Sequence, residues 1–433
     1  MPTSPSAVAH LLRRAGFGGS PAEIAALAKL DIKAIVDKVV DPTQAYALPD
    51  PPLVWNEDAG YWERYVDMSW AWLERMRTAP VGNALIEKLT LFWHGHFCSA
   101  LEKVGHHEAM WVQNQMFRTN GIGSFRDLLQ TVAKDSAMLR YLDNDRNVKG
   151  SPNENWARES MELFTLGVGN YSQDDVVAGA RAWTGHGLNK ETGLYAFTDK
   201  RHDFGSKTLF GITKNWDGPE VLDEITLGSK KQVSARFIAT KLWSFFAYPS
   251  PDPAIIDAIV VPYLASNLSI AALVKAIFLR PEFYGPKARN ALVRSPIEYV
   301  VAAMKGSGLG CDVVHPEWWL EAMGQSPFNP PNVSGWRQNG YWISSSAQWA
   351  KGAFAGHLRW KANEGKQLLV GTQALPVGTA VRRALAQFGV DAPSPVTLAA
   401  MESWLREERK TTRWAERPNL IMLALLSPDV QLA

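Results

Sequence analysis

The sequence predicts an all-α protein built as a large multi-helix domain. Apolar residues recur at helical spacing along most of the chain, as in the amphipathic segment 61–77. Capping signatures precede several such segments, for example Ser20 with Glu23 and Ser295 with Glu298, each with proline at the first helical position. With 46% hydrophobic residues among 433, the chain can bury a large core. Helices are therefore expected to form the fold, with only minor short strands.

The helical segments follow one another with short breaks. Glycine, proline and capping residues mark where each segment begins or ends. In chain order the sequence predicts helices at 6–14, 21–30, 31–40, 61–77, 84–97, 107–119, 124–133, 135–141, 232–247, 377–388, 395–409 and 418–426. Two further short helices are expected in the central stretch 141–185, which is the richest part of the chain in polar groups that could form a site.

Two blocks of the chain lack helical periodicity. The first, about 185–216, is interrupted by glycines and contains one candidate short strand at 194–198. The second, about 316–346, is rich in proline and glycine. Long irregular blocks in helical proteins are typical of lids and site loops, so we expect these two to meet on one side of the molecule. The domains predicted are a main helical domain, 1–310, and a C-terminal helical part, 311–433, packed on it, or one continuous domain.

Composition excludes several classes of protein. The formal net charge is +2 with both signs interspersed, so neither nucleic acid nor an anionic membrane surface is an expected partner. No apolar run approaches the roughly 20 residues of a membrane span, and the N-terminus lacks a signal-peptide pattern. The expected location is therefore the cytoplasm, or export with a partner. Dinucleotide, P-loop, zincin and α/β-hydrolase motifs are absent, and the two cysteines form no metal-binding spacing.

The chain contains 18 tryptophans, many of them beside glycine, proline or histidine. Each indole buries a large area and carries one N–H that requires a partner. Two interpretations stay open: aromatic corners of a helical core, or stacking surfaces for sugar rings or another flat ligand.

His94 and His96, separated by one glycine, form the first candidate cluster. On a helix their side chains point about 200° apart, whereas on an extended segment they share a face. Neutral imidazole suits Zn, Fe, Cu or Mn, so both are candidate metal ligands. The alternative is a pair of core histidines hydrogen-bonded to the backbone.

The second candidate cluster lies on a helix expected to start near residues 151–153. Glu159 and Glu162 share a face of that helix with Arg158. A buried carboxyl pair has its two pKa values pushed apart, which would make these groups a catalytic acid and base assisted by the arginine. The alternative is a solvated helix face, because Glu154 precedes Arg158 by the four residues of a routine helical ion pair.

The third candidate cluster lies in the first irregular block. His202 is a candidate metal ligand, and Asp203 and Lys207 are candidate catalytic groups beside it. The alternative is a charged surface loop. The remaining site candidates are Asp143, Asn153, Glu154 and Asn155.

Several stretches carry a family resemblance: HLLRRAGFG at 10–18, FWHGHF at 92–97, AMLRYLDN at 137–144, NENWARESMELFTLGVGNYSQDDV at 153–176, ARAWTG at 180–185, HDFGSKTLFG at 202–211, KLWSFF at 241–246 and PPNVSGW at 330–336. Together they cover nearly the whole chain in order and resemble a bacterial, all-helical family known as a domain of unknown function, number 1800. The resemblance implies a partner, since members are commonly encoded beside a sulfatase-like protein, number 1501 among such families. It implies no particular reaction.

Three functions are compatible with these observations. The preferred one is an enzyme, a hydrolase or an oxidoreductase, whose three clusters converge on one cleft around a divalent metal and act on an envelope- or carbohydrate-like substrate. The second is a non-catalytic helical partner or escort of the sulfatase-like protein, with the polar clusters as buried structural networks. The third is a haem or di-metal oxidoreductase, although no Glu-x-x-His pair of the di-iron type is present.

Overall fold

The computed structural model describes residues 3–41, 50–365, 368–411 and 415–433, and it is 64% helical. The helices of the first half are α1 (Pro5–Ala15), α2 (Pro21–Leu27), α3 (Ile32–Val40), α4 (Tyr61–Thr78), α5 (Val81–His96), α6 (Leu101–Val104), α7 (His107–Asn120), α8 (Phe125–Val132), α9 (Ser136–Tyr141), α10 (Asn155–Glu162) and α11 (Gln173–Ala182). The all-α prediction is confirmed.

The second half continues the helical pattern. Its helices are α12 (Gly218–Thr226), α13 (Lys231–Phe246), α14 (Pro253–Ala265), α15 (Ile270–Phe278), α16 (Pro296–Ser307), α17 (Cys311–Val314), α18 (Pro316–Met323), α19 (Ser345–Gly365), α20 (Val377–Gln387), α21 (Pro395–Glu408), α22 (Glu416–Leu426) and α23 (Pro428–Gln431). Single turns of 3₁₀ helix occupy Pro52–Trp55, Asn144–Arg146, Asp199–Arg201, Pro281–Tyr284, Asn339–Ile343 and Thr372–Ala374.

Capping side chains fix several helix starts as the sequence predicts. The side chains of Ser20 and Ser295 each accept a hydrogen bond from the backbone N–H three residues on. In turn, the carboxylates of Glu23 and Glu298 accept one from the backbone N–H of the cap residue. Such reciprocal bonds satisfy donors that have no partner within the helix. The helix starts at 21 and 296 are therefore set by local sequence.

Among the boundaries that differ from the prediction, two have a clear local cause. α10 begins at Asn155 rather than near 151–153, because the Asn147 side chain accepts from the Asn153 N–H and that of Asn153 accepts from the Asn155 N–H. These bonds hold the preceding residues in a turn instead of a helix. The second irregular block does not start at residue 316: α18 occupies its first eight residues, with Pro316 in the first turn and Gly324 in the left-handed conformation after the end.

The first irregular block forms two small antiparallel hairpins. β1 (His186–Leu188) pairs with β2 (Tyr195–Phe197), and β3 (Lys207–Leu209) pairs with β4 (Ile212–Lys214). β2 confirms the short strand predicted at 194–198. The β3 strand packs on α11, so the hairpins are attached to the helical core and do not extend freely into solvent.

One cluster of buried apolar side chains runs from Val8 to Val430. Contacts cross residue 310 at several points: α4 packs against α17 and α18, and Arg13 donates to the carbonyl of Gly389. The core is therefore shared by both parts of the chain, and the division after residue 310 stays a prediction.

The tryptophans occupy two environments. Seven are among the largest fully buried side chains: Trp72, Trp93, Trp111, Trp156, Trp183, Trp243 and Trp342. Five are exposed: Trp55, Trp62, Trp318, Trp349 and Trp360. Most indoles named here thus fill the core, and a smaller set is available at the surface.

The second irregular block touches the end of α5 through main-chain atoms. Gly335 has a φ of +79°, and a Cβ at this position would lie 2.3 Å from the carbonyl oxygen of Gly95. Only glycine allows both this backbone conformation and this close approach.

Within the described residues, no helix combines the length and the hydropathy that a bilayer crossing requires.

Candidate metal centre

The first irregular block brings together two histidines and an aspartate. His186 begins β1, His202 directly follows the 3₁₀ turn Asp199–Arg201, and Asp217 is the N-cap of α12. One potential ligand atom from each of the three residues lies within 4.8 Å of the other two. Among the described residues, this is the group of at least three histidine, cysteine or acidic side chains with such a geometry.

His186 is held through both ring nitrogens. Its Nδ1 lies 2.8 Å from the Tyr195 hydroxyl, and its Nε2 lies 2.8 Å from Oδ1 of Asp217. The β1–β2 pairing places Tyr195 close to the histidine, and the Asn144 amide donates to the His186 carbonyl at 2.7 Å. Main chain and ring are both fixed, so the imidazole has little freedom to rotate away from Asp217.

His202 presents one nitrogen to the cluster and uses the other for support. Its Nδ1 lies 2.7 Å from the carbonyl oxygen of Thr184. Because a carbonyl can only accept, Nδ1 carries the proton, and in the neutral ring Nε2 keeps a free lone pair. This is the arrangement by which a backbone carbonyl fixes the tautomer of a metal-binding histidine.

Gly185 permits this support. It adopts a φ of +80°, and a Cβ there would lie 2.8 Å from the Thr198 carbonyl oxygen and 3.1 Å from the main-chain nitrogen of His202. The two chain segments can approach closely only because residue 185 has no side chain.

Asp217 forms the open side of the cluster. Its side chain is 45% exposed, whereas that of His186 is 2% exposed. Burial acts to raise the pKa of Asp217, but the hydrogen bond and charge of His186 and the backbone N–H of Gly218 outweigh it, so the pKa is lowered. The group is therefore an ionised carboxylate facing two imidazoles at neutral pH.

Two imidazole nitrogens and one carboxylate oxygen form a donor set typical of Zn, Fe(II) or Mn. Bonds of about 2.0–2.2 Å to one ion place ligand atoms roughly 3–3.5 Å apart, so the widest separation here must close by on the order of 1 Å. Three protein ligands leave coordination positions free, and the exposure of Asp217 places these on the solvent side.

The first predicted cluster has a different environment. His94 and His96 both lie within α5, so their rings diverge and cannot share an ion. His94 is buried against the rings of Trp72, Phe328 and Trp336, with centroids 5.3–5.6 Å away. His96 Nε2 lies 3.0 Å from the Phe164 carbonyl oxygen. Burial lowers the pKa of each histidine to about 3.

The second predicted cluster divides into separate interactions. Arg158 pairs with Glu154 at 2.7 Å, and the Tyr171 hydroxyl donates to Glu162 at 2.5 Å. Glu159 is half-buried, and burial followed by the charge of Glu162 raises its pKa, against the opposing effect of Arg158. The helix face is thus partly solvated, and the pKa of Glu159 on it is raised.

The other predicted residues have structural hydrogen bonds. The Asp203 carboxylate accepts from Arg181 Nε at 2.7 Å, and this bond lowers the pKa of Asp203. Lys207 donates to the carbonyls of Asp203 and Trp216 at 2.5 and 2.9 Å, and burial lowers its pKa. These bonds anchor the segment that follows His202.

The remaining three candidates are Asp143, Asn153 and Asn155, and each has its own structural partner. Asp143 pairs with Lys103 at 2.9 Å, and Asn153 and Asn155 take part in the turn before α10.

Aromatic rings separate the first cluster from the third. A continuous series of ring contacts with centroids 4.8–6.1 Å apart runs through His96, Phe164, Trp156, Trp183 and His186. The structure therefore does not bring the first and third predicted clusters into one shared cleft, because the rings of Phe164, Trp156 and Trp183 lie between them.

Sequence reasoning identified His202 but missed His186 and Asp217. Asp217 directly precedes the glycine and proline that open α12, and His186 stands alone after Thr184 and Gly185. His202 follows His186 by 16 residues, and Asp217 follows His202 by 15 residues. Separations of this length in an irregular block match no helical or strand periodicity. The local signal that remained was a histidine in a glycine-rich segment on each side of a predicted short strand.

The molecule is thus an all-α protein in which two histidines of the first irregular block and the aspartate that caps α12 form one cluster. Residues 10–432 match the model of the family described as protein of unknown function (DUF1800), and the chain belongs to this family. No curated protein and no solved structure matched the chain.

Proposed function

We propose that this protein is a metal-dependent enzyme in which His186, His202 and Asp217 hold a divalent ion that activates water for hydrolysis. The observation that carries the proposal is the convergence of three ligand atoms within 4.8 Å, with each imidazole supported from behind. Metal-binding histidines characteristically have such support, because it orients the ring and makes the free nitrogen more basic.

The arrangement favours a catalytic ion over a purely structural one. Structural zinc is usually closed by four protein ligands, whereas catalytic zinc has three and keeps a position for water. The ion lowers the pKa of that water to about 7, so hydroxide is available at neutral pH. The exposed side of Asp217 is where water and substrate would enter.

The surroundings of His202 suggest the substrate class. Phe197 and Phe204 are 41% and 54% exposed, and their rings lie 5.2 and 4.6 Å from the His202 ring. Exposed aromatic rings beside a polar centre suit the apolar face of a sugar ring. A carbohydrate-like or envelope-derived substrate is therefore the class proposed.

Metal titration of the purified chain tests the proposal. Chelator-treated protein is titrated with Zn²⁺, Mn²⁺ and, without oxygen, Fe²⁺, and binding is measured by calorimetry and elemental analysis. One ion per chain is expected. Asp217→Asn should weaken binding, whereas Asp252→Asn, which alters the N-cap of α14, is the matched control that should not.

Equal affinity in wild type and Asp217→Asn would exclude this centre. A clear preference for Fe²⁺ with oxygen-dependent absorbance changes would favour an oxidoreductase over a hydrolase, because the same donor set is used in Fe(II) oxygenases.

A second candidate function is that of a partner or escort of the sulfatase-like protein, in the cytoplasm or during export. Exposed indoles favour it: Trp62 and Trp318 are 45% and 59% exposed, and their ring centroids lie 5.8 Å apart. Tryptophan is enriched in protein interfaces. Co-expression with such a protein, with Trp62→Ser as the disrupting variant and the exposed Trp349→Ser as control, distinguishes this role by co-purification.

A further inference from the structure

A separate cavity of about 170 Å³ lies between α1, α5, the start of α16 and the second irregular block. Its walls include Arg14, Lys88, Phe92, Phe245, Glu298 and Trp336. Of the residues predicted from sequence for the site, His96 alone lines it. The aromatic series described above lies between this cavity and the histidine–aspartate cluster, so the two are distinct places in the molecule.

Arg14 is a buried cation without a charged partner at the cavity wall. It is 2% exposed, and its Nη2 donates to the Ala288 carbonyl at 2.5 Å. Its Nε and Nη1 have no hydrogen-bond partner among the described residues. A guanidinium carries five donors, and leaving several of them unmade in a buried site costs free energy.

Arg294 adds a second buried guanidinium next to the cavity. It is 3% exposed, and its neighbours in sequence, Val293 and Ser295, line the cavity, whereas the Arg294 side chain lies behind the wall and contributes positive charge from there. Its Nη1 and Nη2, the two terminal nitrogens that form a planar fork, also have no partner among the described residues. Such a fork matches the two oxygens of a carboxylate or a phosphate.

Positive charge exceeds negative charge around this space. Lys88 is paired with Glu298, which leaves Arg14 and Arg294 without a carboxylate of their own. Burial and then the neighbouring Arg13 lower the pKa of Arg14 to about 9, with Glu298 opposing and Arg294 adding to the effect. Burial likewise lowers the pKa of Arg294 to about 10. An anion in the cavity would relieve this repulsion.

The size and walls of the cavity define the ligand further. An apolar cavity of about 150 Å³ accommodates benzene, so the present cavity suits an organic body of roughly that size. Phe92, Phe245 and Trp336 supply aromatic walls for such a body. Lys241 and Arg337 also line the cavity and are exposed, so the entrance is positively charged.

We propose that this cavity binds a small organic anion, with a carboxylate or phosphate at Arg14 and a compact body against the aromatic walls. The proposal does not depend on the metal centre. It assigns a role to the HLLRRAGFG and PPNVSGW segments, whose residues Arg14, Val333 and Trp336 face the same space.

Ligand titration of the full chain tests the proposal. Thermal unfolding and tryptophan fluorescence are measured with sodium benzoate, phenyl phosphate, inorganic phosphate and, as the neutral analogue, benzyl alcohol. Saturable stabilisation by benzoate or phenyl phosphate, without an effect of benzyl alcohol, is the expected result. An equal response to inorganic phosphate would overturn the assignment of an organic ligand. No response to any anion would show that water satisfies the guanidinium groups and would overturn the site.

Variants locate the response. Arg14→Gln should weaken binding roughly tenfold or more, because it removes charged hydrogen-bond donors. Arg13→Gln is the matched control, since Arg13 is buried on the same helix but donates to the Gly389 carbonyl instead. Should Arg14→Gln fail to fold, Glu298→Gln gives the second test: it keeps a capping side chain, removes the opposing carboxylate and should tighten anion binding. Unchanged or weaker binding in Glu298→Gln contradicts the proposal.

Discussion

Two pairs of histidines, on opposite sides of the aromatic series, show how strongly the surroundings decide what an imidazole can do. His94 and His96 lie on one helix and meet aromatic rings and a backbone carbonyl. His186 and His202 lie in a hairpin block and meet a carboxylate from a third segment. All four are buried to a similar extent, between 1% and 7% exposed.

The difference between the pairs lies in the partners rather than in burial. The first pair diverges because two residues on a helix are separated by about 200°. The second pair converges because hairpins can bring distant residues to one point, with a hydrogen bond behind each ring. Sequence proximity of histidines is therefore a weaker sign of a metal site than convergence of their rings on a shared carboxylate.

The largest expected effect separates the two pairs directly. His202→Gln should weaken metal binding by more than roughly a hundredfold, since loss of a direct ligand exceeds the 10–100-fold effect of an outer-shell partner. His94→Gln should leave metal affinity unchanged. Calorimetric titration measures both, with circular dichroism to establish that each variant is folded. Equal losses in the two variants would remove the distinction between the pairs.

The next effect concerns the support behind His186. Tyr195→Phe removes the hydroxyl bonded to Nδ1 and should reduce metal affinity about 10–100-fold. Tyr171→Phe is the matched control, because it removes a tyrosine hydroxyl that serves Glu162 instead. If both variants bind metal as the wild type does, the hydroxyl has no part in orienting the ring.

A smaller effect is expected in the pH dependence of stability, and it belongs to the first pair. Burial lowers the pKa of His94 from 6.5 to about 3. Below pH 6.5 the unfolded chain therefore binds a proton that the folded chain does not, and stability falls as pH falls, by about 1.4 kcal/mol per pH unit for this residue.

Urea unfolding between pH 5 and 6.5 measures this slope. His94→Gln should reduce this slope by up to one bound proton, most strongly toward pH 5, where the imidazole of the unfolded chain is almost fully charged. A wild-type slope that His94→Gln leaves unchanged would mean that His94 is protonated in the folded protein.

The smallest effect is expected on α10, which lies between the two pairs. The Glu154–Arg158 ion pair is 37% exposed on both sides, so Glu154→Gln should cost about 0.5 kcal/mol or less. Neither metal affinity nor the pH slope should change. Urea unfolding and the metal titration check this, and a large loss of binding would place α10 within the metal site after all.

Much of the fold could be predicted from local sequence because local interactions set it. Ser20, Ser172 and Ser295 specify helix starts through hydrogen bonds within three residues. The start of α10 was misplaced because the amide of Asn147, outside the predicted helix, holds Asn153 in a turn. α18 was missed because prolines and glycines nearby masked an eight-residue helix.

Less of the candidate site could be predicted, for a physical reason. Its geometry depends on contacts across 15 to 31 residues, such as Thr184 with His202 and His186 with Asp217. The sequence pattern identified the irregular block and His202 within it. The position of His186, however, depends on the pairing of β1 with β2. No rule of sequence spacing predicts that His186 will contact Asp217, the N-cap of α12.

The contact between Gly335 and Gly95 has a consequence for how the molecule tolerates change. The two backbone segments, which are far apart in the sequence, contact each other with no side chain between them. Even one added methyl group at residue 335 must therefore push them apart. Trp336 lies next to this contact, and it both packs against the ring of His94 and lines the cavity of about 170 Å³. An alanine at residue 335 would therefore disturb both the surroundings of His94 and the wall of the cavity. One backbone contact thus couples two features that lie far apart in the sequence.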